Sequence, residues 1–341
     1  MYISNQWSRS LIFYLVNFGG GASAHFINVD LGFGKSQYGV LASFGFTSLF
    51  ALSSLLAGKL SDRIDRAKLT SASCFIWGLA TIGMGFAPSF EVVFALRVLQ
   101  GLAMGCTTPA AYGLLADLFP ANLRSTANSL FASGIYLGGG LSSLSSLLVT
   151  SLGWRGTSKL AGSVTLLASF ISLTTLRDPK RVVPGTSSEL ASSADALVAE
   201  ESLLSTIRAI MASASVRFLF LAAAFRMCAG FSIGVWAAPF FREQFPAHQA
   251  TYAMLNAGVV VAGGFLSSFA GGKISDTLKA KSSDPGARTW LLATSCALAV
   301  PAWLSVVRAG SFLMAMGCLF IEYLVAEMWY GPSVSILQVW R

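Results

Sequence analysis

The sequence predicts an all-α polytopic membrane protein, with a six-helix bundle followed by four more helices after a polar central loop. Three observations carry this. Charged residues make up 11% of the 341 and apolar residues 54%, with a mean hydropathy of +0.66; a soluble domain carries about 25% charged residues and could not cover its surface with so few. Apolar runs of about 20 residues, the length a helix needs to cross a bilayer, recur ten times. The Lys and Arg residues sit mostly in the short segments between those runs, a topological pattern rather than a basic surface patch.

The ten spans are expected at about 10–29, 36–57, 69–89, 92–116, 125–150, 156–176, 217–240, 249–271, 289–307 and 310–337. They give an N-terminal bundle over 1–176, a central loop over 177–212, and a C-terminal bundle over 213–341. With the N-terminus in the cytoplasm, five of the 23 Lys and Arg residues (Lys35, Arg155, Lys159, Arg242, Arg308) fall outside and two (Arg97, Arg226) lie within spans. The other sixteen, Arg9 among them, fall inside, which sets the orientation. In the central loop, Leu203, Leu204, Ile207, Ile210 and Met211 recur at helical spacing, which predicts an amphipathic helix on the inner leaflet.

Composition also excludes. The net charge of +8 is spread along topogenic loops, so no nucleic-acid surface is expected. Two histidines and five scattered cysteines without a CxxC pair offer neither a metal site nor a disulfide framework. There is no phosphate-cradling GxxxxGK[ST] loop and no clustered acid–base set, so neither ATP-driven pumping, nor a bound cofactor, nor enzyme activity is expected.

An internal repeat organises the chain. Gly58–Asp62 reads GKLSD and Gly272–Asp276 reads GKISD, 214 residues apart, each closing an even-numbered span at its inner end. At the same offset Tyr38 meets Tyr252, and Leu52-Ser53-Ser54 meets Leu266-Ser267-Ser268. Duplicated halves of matching topology mark many transporters.

The first copy extends to GKLSDRIDRAKL. It resembles the signature of the major facilitator family between its second and third helices, with Gly58, Leu60, Asp62, Arg63 and Arg66 in place and Asp65 where many members have glycine. Gly58 is expected to permit close helix approach, and Arg66 to bridge to Asp117 at the inner end of helix 4. The run RVLQG, Arg97 to Gly101, resembles the arginine-bearing helix-4 motif of the same family. Ala116–Phe119, Arg124-Ser125 and Gly138–Gly140 are similar to its spinster-like branch, whose members export lipids. That branch carries a glutamate where Met104 stands here, and an aspartate in helix 1, where this chain has no acid before Asp30.

The resemblance implies the major facilitator fold and alternating access around a cavity lined by helices 1, 4, 7 and 10. It implies a secondary transporter of a small organic solute, anionic or lipid-like, with or without a coupled proton or ion. The alternative is a non-transporting scaffold or receptor-like homologue. The family has twelve helices, so the C-terminal bundle is expected to be incomplete by two.

Buried charge nominates the site: Arg97, Arg226, Glu322 and Glu327, with Phe225, Trp236, Trp329 and Tyr330 supplying apolar surface. Arg226 and Glu322 are expected at similar membrane depth, about 14 and 16 Å along their helices at 1.5 Å per residue, which makes Glu322 the first expected partner of Arg226 and Glu327 the second. A lone charge at that depth costs about 2.5–3.5 kcal/mol or more, so such groups pair or line water. Gly58, Asp62, Arg63, Arg66, Asp117, Gly272 and Asp276 are the expected gating residues. Pro109 and Pro332 are expected to interrupt helices 4 and 10.

Overall fold

The structure, a computed structural model, describes residues 1–20, 23–179, 208, 211–281, 286–329 and 332–333. Among these the regular elements are helical. Ten of them build the frame. The first six are α1 (Tyr2–Leu11), α2 (Lys35–Ala42, continuing past Ser43 as Phe44–Arg63), α3 (Arg66–Met84), α4 (Phe90–Gly105 and Thr107–Leu118), and α5 and α6, the two arms of Ala121–Thr175. The other four are α7 (Ala214–Gln244), α8 (Gln249–Gly258 and Gly264–Lys281), α9 (Ala287–Arg308) and α10 (Phe312–Ala326). The amphipathic segment expected in the central loop lies outside the described residues, apart from Arg208 and Met211.

Local chemistry sets the boundaries. Asp65 caps α3, its carboxylate accepting from the Lys68 N–H at 2.9 Å, which gives the departure from glycine at this position a physical reason. Gly153 separates α5 from α6 at φ 66°, ψ 172°, a conformation that glycine alone adopts without strain. The next N–H, that of Trp154, donates to the His25 carbonyl at 2.8 Å. α4 breaks at Cys106, three residues before Pro109, whose ring excludes the carbonyl four residues earlier. α10 tightens into a 3-10 turn over Glu327–Trp329, a few residues before Pro332.

The first span differs from expectation. The helix occupies Tyr2–Leu11 with a 3-10 turn to Tyr14, and not residues 10–29. Gly19 and Gly20 each disfavour a helix by about 1 kcal/mol relative to alanine, and neither is helical here. Ser4, Asn5, Gln6 and Ser8, which lower the apolarity of the segment, are buried inside the bundle. Ser8 Oγ is 3.3 Å from Thr165 Oγ1, Ser4 Oγ donates to the Met1 carbonyl at 2.8 Å, and Trp7 Nε1 donates to Ser145 Oγ at 2.8 Å. Seven described segments are apolar and long enough to cross a membrane, and one of them, 130–175, contains both α5 and α6. α1, at 10 residues, is too short for that measure, and α3 falls below it in apolarity, with Arg66, Thr70, Ser71, Ser73 and Thr81 on its buried face.

Close packing in the first half rests on α4. A Cβ on Gly101 would lie 2.2 Å from the Phe46 carbonyl oxygen, and one on Gly105 would lie 2.6 Å from that of Phe50. This is the small-xxx-small spacing that brings two membrane helices together. Gly58 does not play that part among the described residues, none of which places a heavy atom within 4 Å of its Cβ position, nor of that of Gly272.

The halves meet in two places. α5 and α8 run together over much of their length: Ser143 Oγ donates to the Ala253 carbonyl at 2.9 Å, and Tyr136 and Ser268 share a short hydroxyl bond. The π-helical turn Val259–Gly263 lays Val260 and Val261 against Gly139 and Gly140. The second meeting is at one end, where Tyr38 Oη donates to the Val235 carbonyl at 2.6 Å and Lys35 pairs with Glu243 at 2.7 Å. Side chains of α7 touch the first half from Phe231 to Glu243. The α4 and α10 helices make no extensive contact with each other. The halves are thus sealed at the end carrying Lys35 and Glu243, and they part toward the end carrying Asp65 and Arg66.

Candidate functional site

The expected charged residues do not converge on one cavity. Arg97 is fully buried on α4, and its two terminal nitrogens bond to groups of its own half, while its Nε has no partner among the described residues. Its Nη1 donates to Gln100 Oε1 at 2.5 Å and its Nη2 to the Arg9 carbonyl at 2.6 Å. Gln100 in turn donates to Thr81 Oγ1 at 2.8 Å. Arg97 therefore ties α4 to α1 and α3, and offers a solute little beyond its field.

Arg226 has partners too. Its Nη2 donates to the Ala326 carbonyl at 2.8 Å and lies 3.4 Å from Glu327 Oε1, with the guanidinium carbon 5.7 Å from the Trp329 ring centre. Glu327, and not Glu322, is the partner within ion-pair distance. The 3-10 turn at Glu327–Trp329 carries Glu327 toward α7, while Glu322, five residues earlier, faces a groove between α7, α9 and α10.

That groove, about 1090 Å³, is lined by Phe225, Arg226, Trp303, Glu322 and small or aliphatic side chains. It lies on the outer side of α7 and α9. The repeat makes α7 and α9 the counterparts of α1 and α3, and in the first half α5 and α6 pack across those two helices. The groove is therefore a helix-packing surface away from the gap between the halves. Trp236 is elsewhere again, edge-on to Tyr38 at the sealed end. Tyr330 lies outside the described residues.

The gap holds a cation that hydropathy had placed in a loop. Arg9 lies on α1, half-buried, with its guanidinium carbon 5.2 Å from the Phe46 ring centre, 5.3 Å from that of Phe50 and 5.8 Å from that of Phe231. Two of these rings come from α2 and the third from α7, so Arg9 stands at the closed apex of the gap. Among the described residues its guanidinium has no hydrogen-bond acceptor and no carboxylate in ion-pair reach. Each ring at such a distance offsets about 0.5–2 kcal/mol, against about 2.5–3.5 kcal/mol or more for a lone cation at membrane depth, and the rings leave the guanidinium N–H donors without an oxygen acceptor among the described residues. Water or an anion must supply that acceptor. The sequence signal was available: an arginine three positions after Gln6 and one after Ser8, on a face whose other polar residues also point inward.

At the open end the signature residues form a cluster. Arg66 Nη2 lies 2.6 Å from Asp117 Oδ2 and 2.8 Å from Asp178 Oδ1, and Asp178 Oδ2 also accepts from the Arg66 N–H at 2.7 Å. Hydrogen bonding to Asp178, then to Asp117, holds the Arg66 guanidinium above its ordinary pKa despite burial. Asp178, just beyond α6, was missed in the sequence because nothing in its local pattern separates it from a loop acid. It joins the start of the central loop to α3 and α4. An Asp178→Ala variant is expected to lose about 2–3 kcal/mol, the scale of hydrogen bonds to a buried charge, read as a lower unfolding temperature in detergent. Asp62 and Arg63 end α2, and their side chains lie outside the described residues. Asp276 is exposed near the end of α8.

Among the described residues no three His, Cys, Asp or Glu side chains gather as a metal site. The Major Facilitator Superfamily model matches residues 7–340. The chain is 31% identical over 140 residues to a gallate transporter of Pseudomonas putida, covering 41% of this chain and 31% of that one. It is 30% identical over 186 residues to a 4-hydroxybenzoate transporter of Pseudomonas aeruginosa, covering 52% and 41%. The matches thus span less than half the length of either relative. Its fold superimposes with a TM-score of 0.76 on a bacterial homologue of the human lysosomal transporter Spinster in an inward-facing, unoccupied conformation, at 21% identity, covering 98% of this chain and 72% of that one. Fold, repeat and family match agree: this chain belongs to the Major Facilitator Superfamily.

Proposed function

We propose that this chain forms the solute path of a secondary active transporter for small organic anions, working by alternating access, with Arg9 as the anion-binding group. The carrying observation is the Arg9 guanidinium at the apex of the gap, ringed by Phe46, Phe50 and Phe231 and without an acceptor among the described residues. A carboxylate meeting it gains a charge-assisted hydrogen bond, and the rings offer flat apolar surface to the rest of the solute. Arg97 holds the Arg9 carbonyl and adds positive potential from behind. The chain's curated relatives include transporters of gallate and 4-hydroxybenzoate, which are anions of this size. A lipid-like solute is less well served, because the three rings close around the cation. The membrane orientation that puts the open end in the cytoplasm rests on the charge bias of the loops.

The test is equilibrium binding of radiolabelled 4-hydroxybenzoate to purified protein, with the uncharged 4-hydroxybenzamide as competitor. An Arg9→Ala variant is expected to bind about 100-fold more weakly, within the range for truncating one partner of a buried charge pair, and Arg9→Lys to recover part of the affinity. Unchanged binding in Arg9→Ala, or equal competition by the amide, overturns the assignment.

A further inference from the structure

The sealed end contains an arginine that crosses between the halves. Arg242 was expected in an outside loop; it lies in the last turns of α7 and is 3% exposed. Among the described residues, every hydrogen-bond acceptor and ring its guanidinium meets belongs to the other half. Its Nη1 donates to the Val16 carbonyl, its Nη2 to the Tyr14 carbonyl at 2.8 Å and to Ser146 Oγ at 3.1 Å, and its guanidinium carbon lies 4.9 Å from the Phe26 ring centre.

The acceptors explain the arrangement. α1 ends at Leu11, winds as a 3-10 turn through Tyr14, and leaves the carbonyls of Tyr14 and Val16 beyond the helix. A helix end leaves its final carbonyls without intrahelical donors, and they carry the negative end of the helix dipole. In an ordinary protein a glycine turn or a nearby basic side chain of the same element satisfies them. Here the cap comes from the opposite half.

We infer that Arg242 is a removable cap on α1: it fastens the two halves at this end in the present state and withdraws when the end opens. This rests on the alternating-access reading above. The other polar contacts across the seal make fewer bonds each, the most being two from Asn256 Nδ2, to Tyr14 Oη at 3.0 Å and Ser143 Oγ at 2.9 Å. Lys35–Glu243 is exposed, a class of pair that contributes little, and Tyr38 Oη to the Val235 carbonyl is a single bond. Arg242 makes three bonds in a dry site. Opening admits water to the guanidinium and to both carbonyls, so the cap opposes opening without forbidding it.

Two spin labels report the distance across the seal, at Ser36→Cys on α2 and Gln244→Cys on α7, both exposed, in a chain whose five native cysteines are replaced. Measured in detergent without solute, Arg242→Ala is expected to raise the long-distance population at least tenfold over the parent. Arg242→Lys, which keeps the charge but loses the fork, should shift it less, and Ser146→Ala should shift it in the same direction. Arg155→Ala is the control. Arg155 binds Asp30 and the Ala87 carbonyl within one half, so the distance should not change. A folded Arg242→Ala variant with the parental distances overturns the inference. If that variant fails to fold, unchanged distances in both Arg242→Lys and Ser146→Ala overturn it. A shifted distance in a protein that binds no organic anion keeps the cap and removes the proposed solute.

Discussion

A Gly101→Val variant is expected to lose about 3 kcal/mol or more of stability, the upper part of the range for overpacking, and to lose the Arg9 site with it. The Cβ alone would stand 2.2 Å from the Phe46 carbonyl oxygen and 3.1 Å from its carbon, both backbone atoms that no rotamer change can move. α2 would have to slide away from α4 by an ångström or more. Phe46 and Phe50 ride on that stretch of α2, and Phe46 also covers Arg97, 4.8 Å from ring centre to guanidinium carbon. The shift therefore opens the aromatic wall around Arg9. The control is Gly58→Val, on the same helix pair but with no atom of the described residues within 4 Å, expected to unfold within a few degrees of the parent. Thermal unfolding in detergent separates the two. Equal unfolding temperatures for Gly101→Val and Gly58→Val would show that α2 and α4 pack differently.

Much of the frame was legible because a bilayer imposes one rule: a spanning helix must satisfy its backbone internally and face lipid with apolar side chains. Nine of the ten helices follow that rule closely enough for apolar runs to place them. α1 does not, for a physical reason. Its buried face is the polar one, and the hydroxyls of α5 and α6 satisfy it, so a scale that scores apolarity slides the span toward the apolar stretch beyond. The same error put Arg9 in a loop, and ending α7 at residue 240 left Arg242 in one as well, though it lies on that helix. Both are central to the gap and its seal.

The charged residues that hydropathy did pick out, Arg97, Arg226, Glu322 and Glu327, are costly in a membrane, and that cost is a sound reason to look at them. It does not separate a cation that binds from one that is already bound. Arg97 and Arg226 meet backbone carbonyls and side-chain partners; among the described residues, the Arg9 guanidinium meets rings alone. The distinction depends on which carbonyls a helix break frees and which helix faces which, and neither is written in local sequence. The Arg66–Asp117 pair was within reach of sequence because the motif fixes both helix ends, whereas Asp178 depends on where the chain goes after α6.

Arg226→Ala is the last substitution with a large expected effect. Removing the guanidinium leaves Glu327 facing the Ala326 turn without its cation and leaves the Ala326 carbonyl without a donor. Breaking a buried pair from one side costs about 3–5 kcal/mol. The 3.4 Å separation and the 31% exposure of the Glu327 side chain put this pair below that range, at about 2–3 kcal/mol. Glu327→Gln should cost less, because the amide still accepts from Arg226 and the Ala326 bond survives. Glu322→Gln should cost nothing or stabilise, since that carboxylate has no cation in ion-pair reach and faces an apolar groove. The order of unfolding temperatures is then Glu322→Gln at or above the parent, Glu327→Gln below it, and Arg226→Ala lowest. The double variant Arg226→Met with Glu327→Met should recover most of the loss, because replacing a buried pair with apolar groups of similar volume is often neutral. If Glu322→Gln destabilises as much as Glu327→Gln, the pairing is with Glu322 after all, and α10 is rotated from the position it holds here. If all three single variants keep parental stability but lose anion binding, Arg226 meets the solute directly, and the site extends from Arg9 across the gap into the second half.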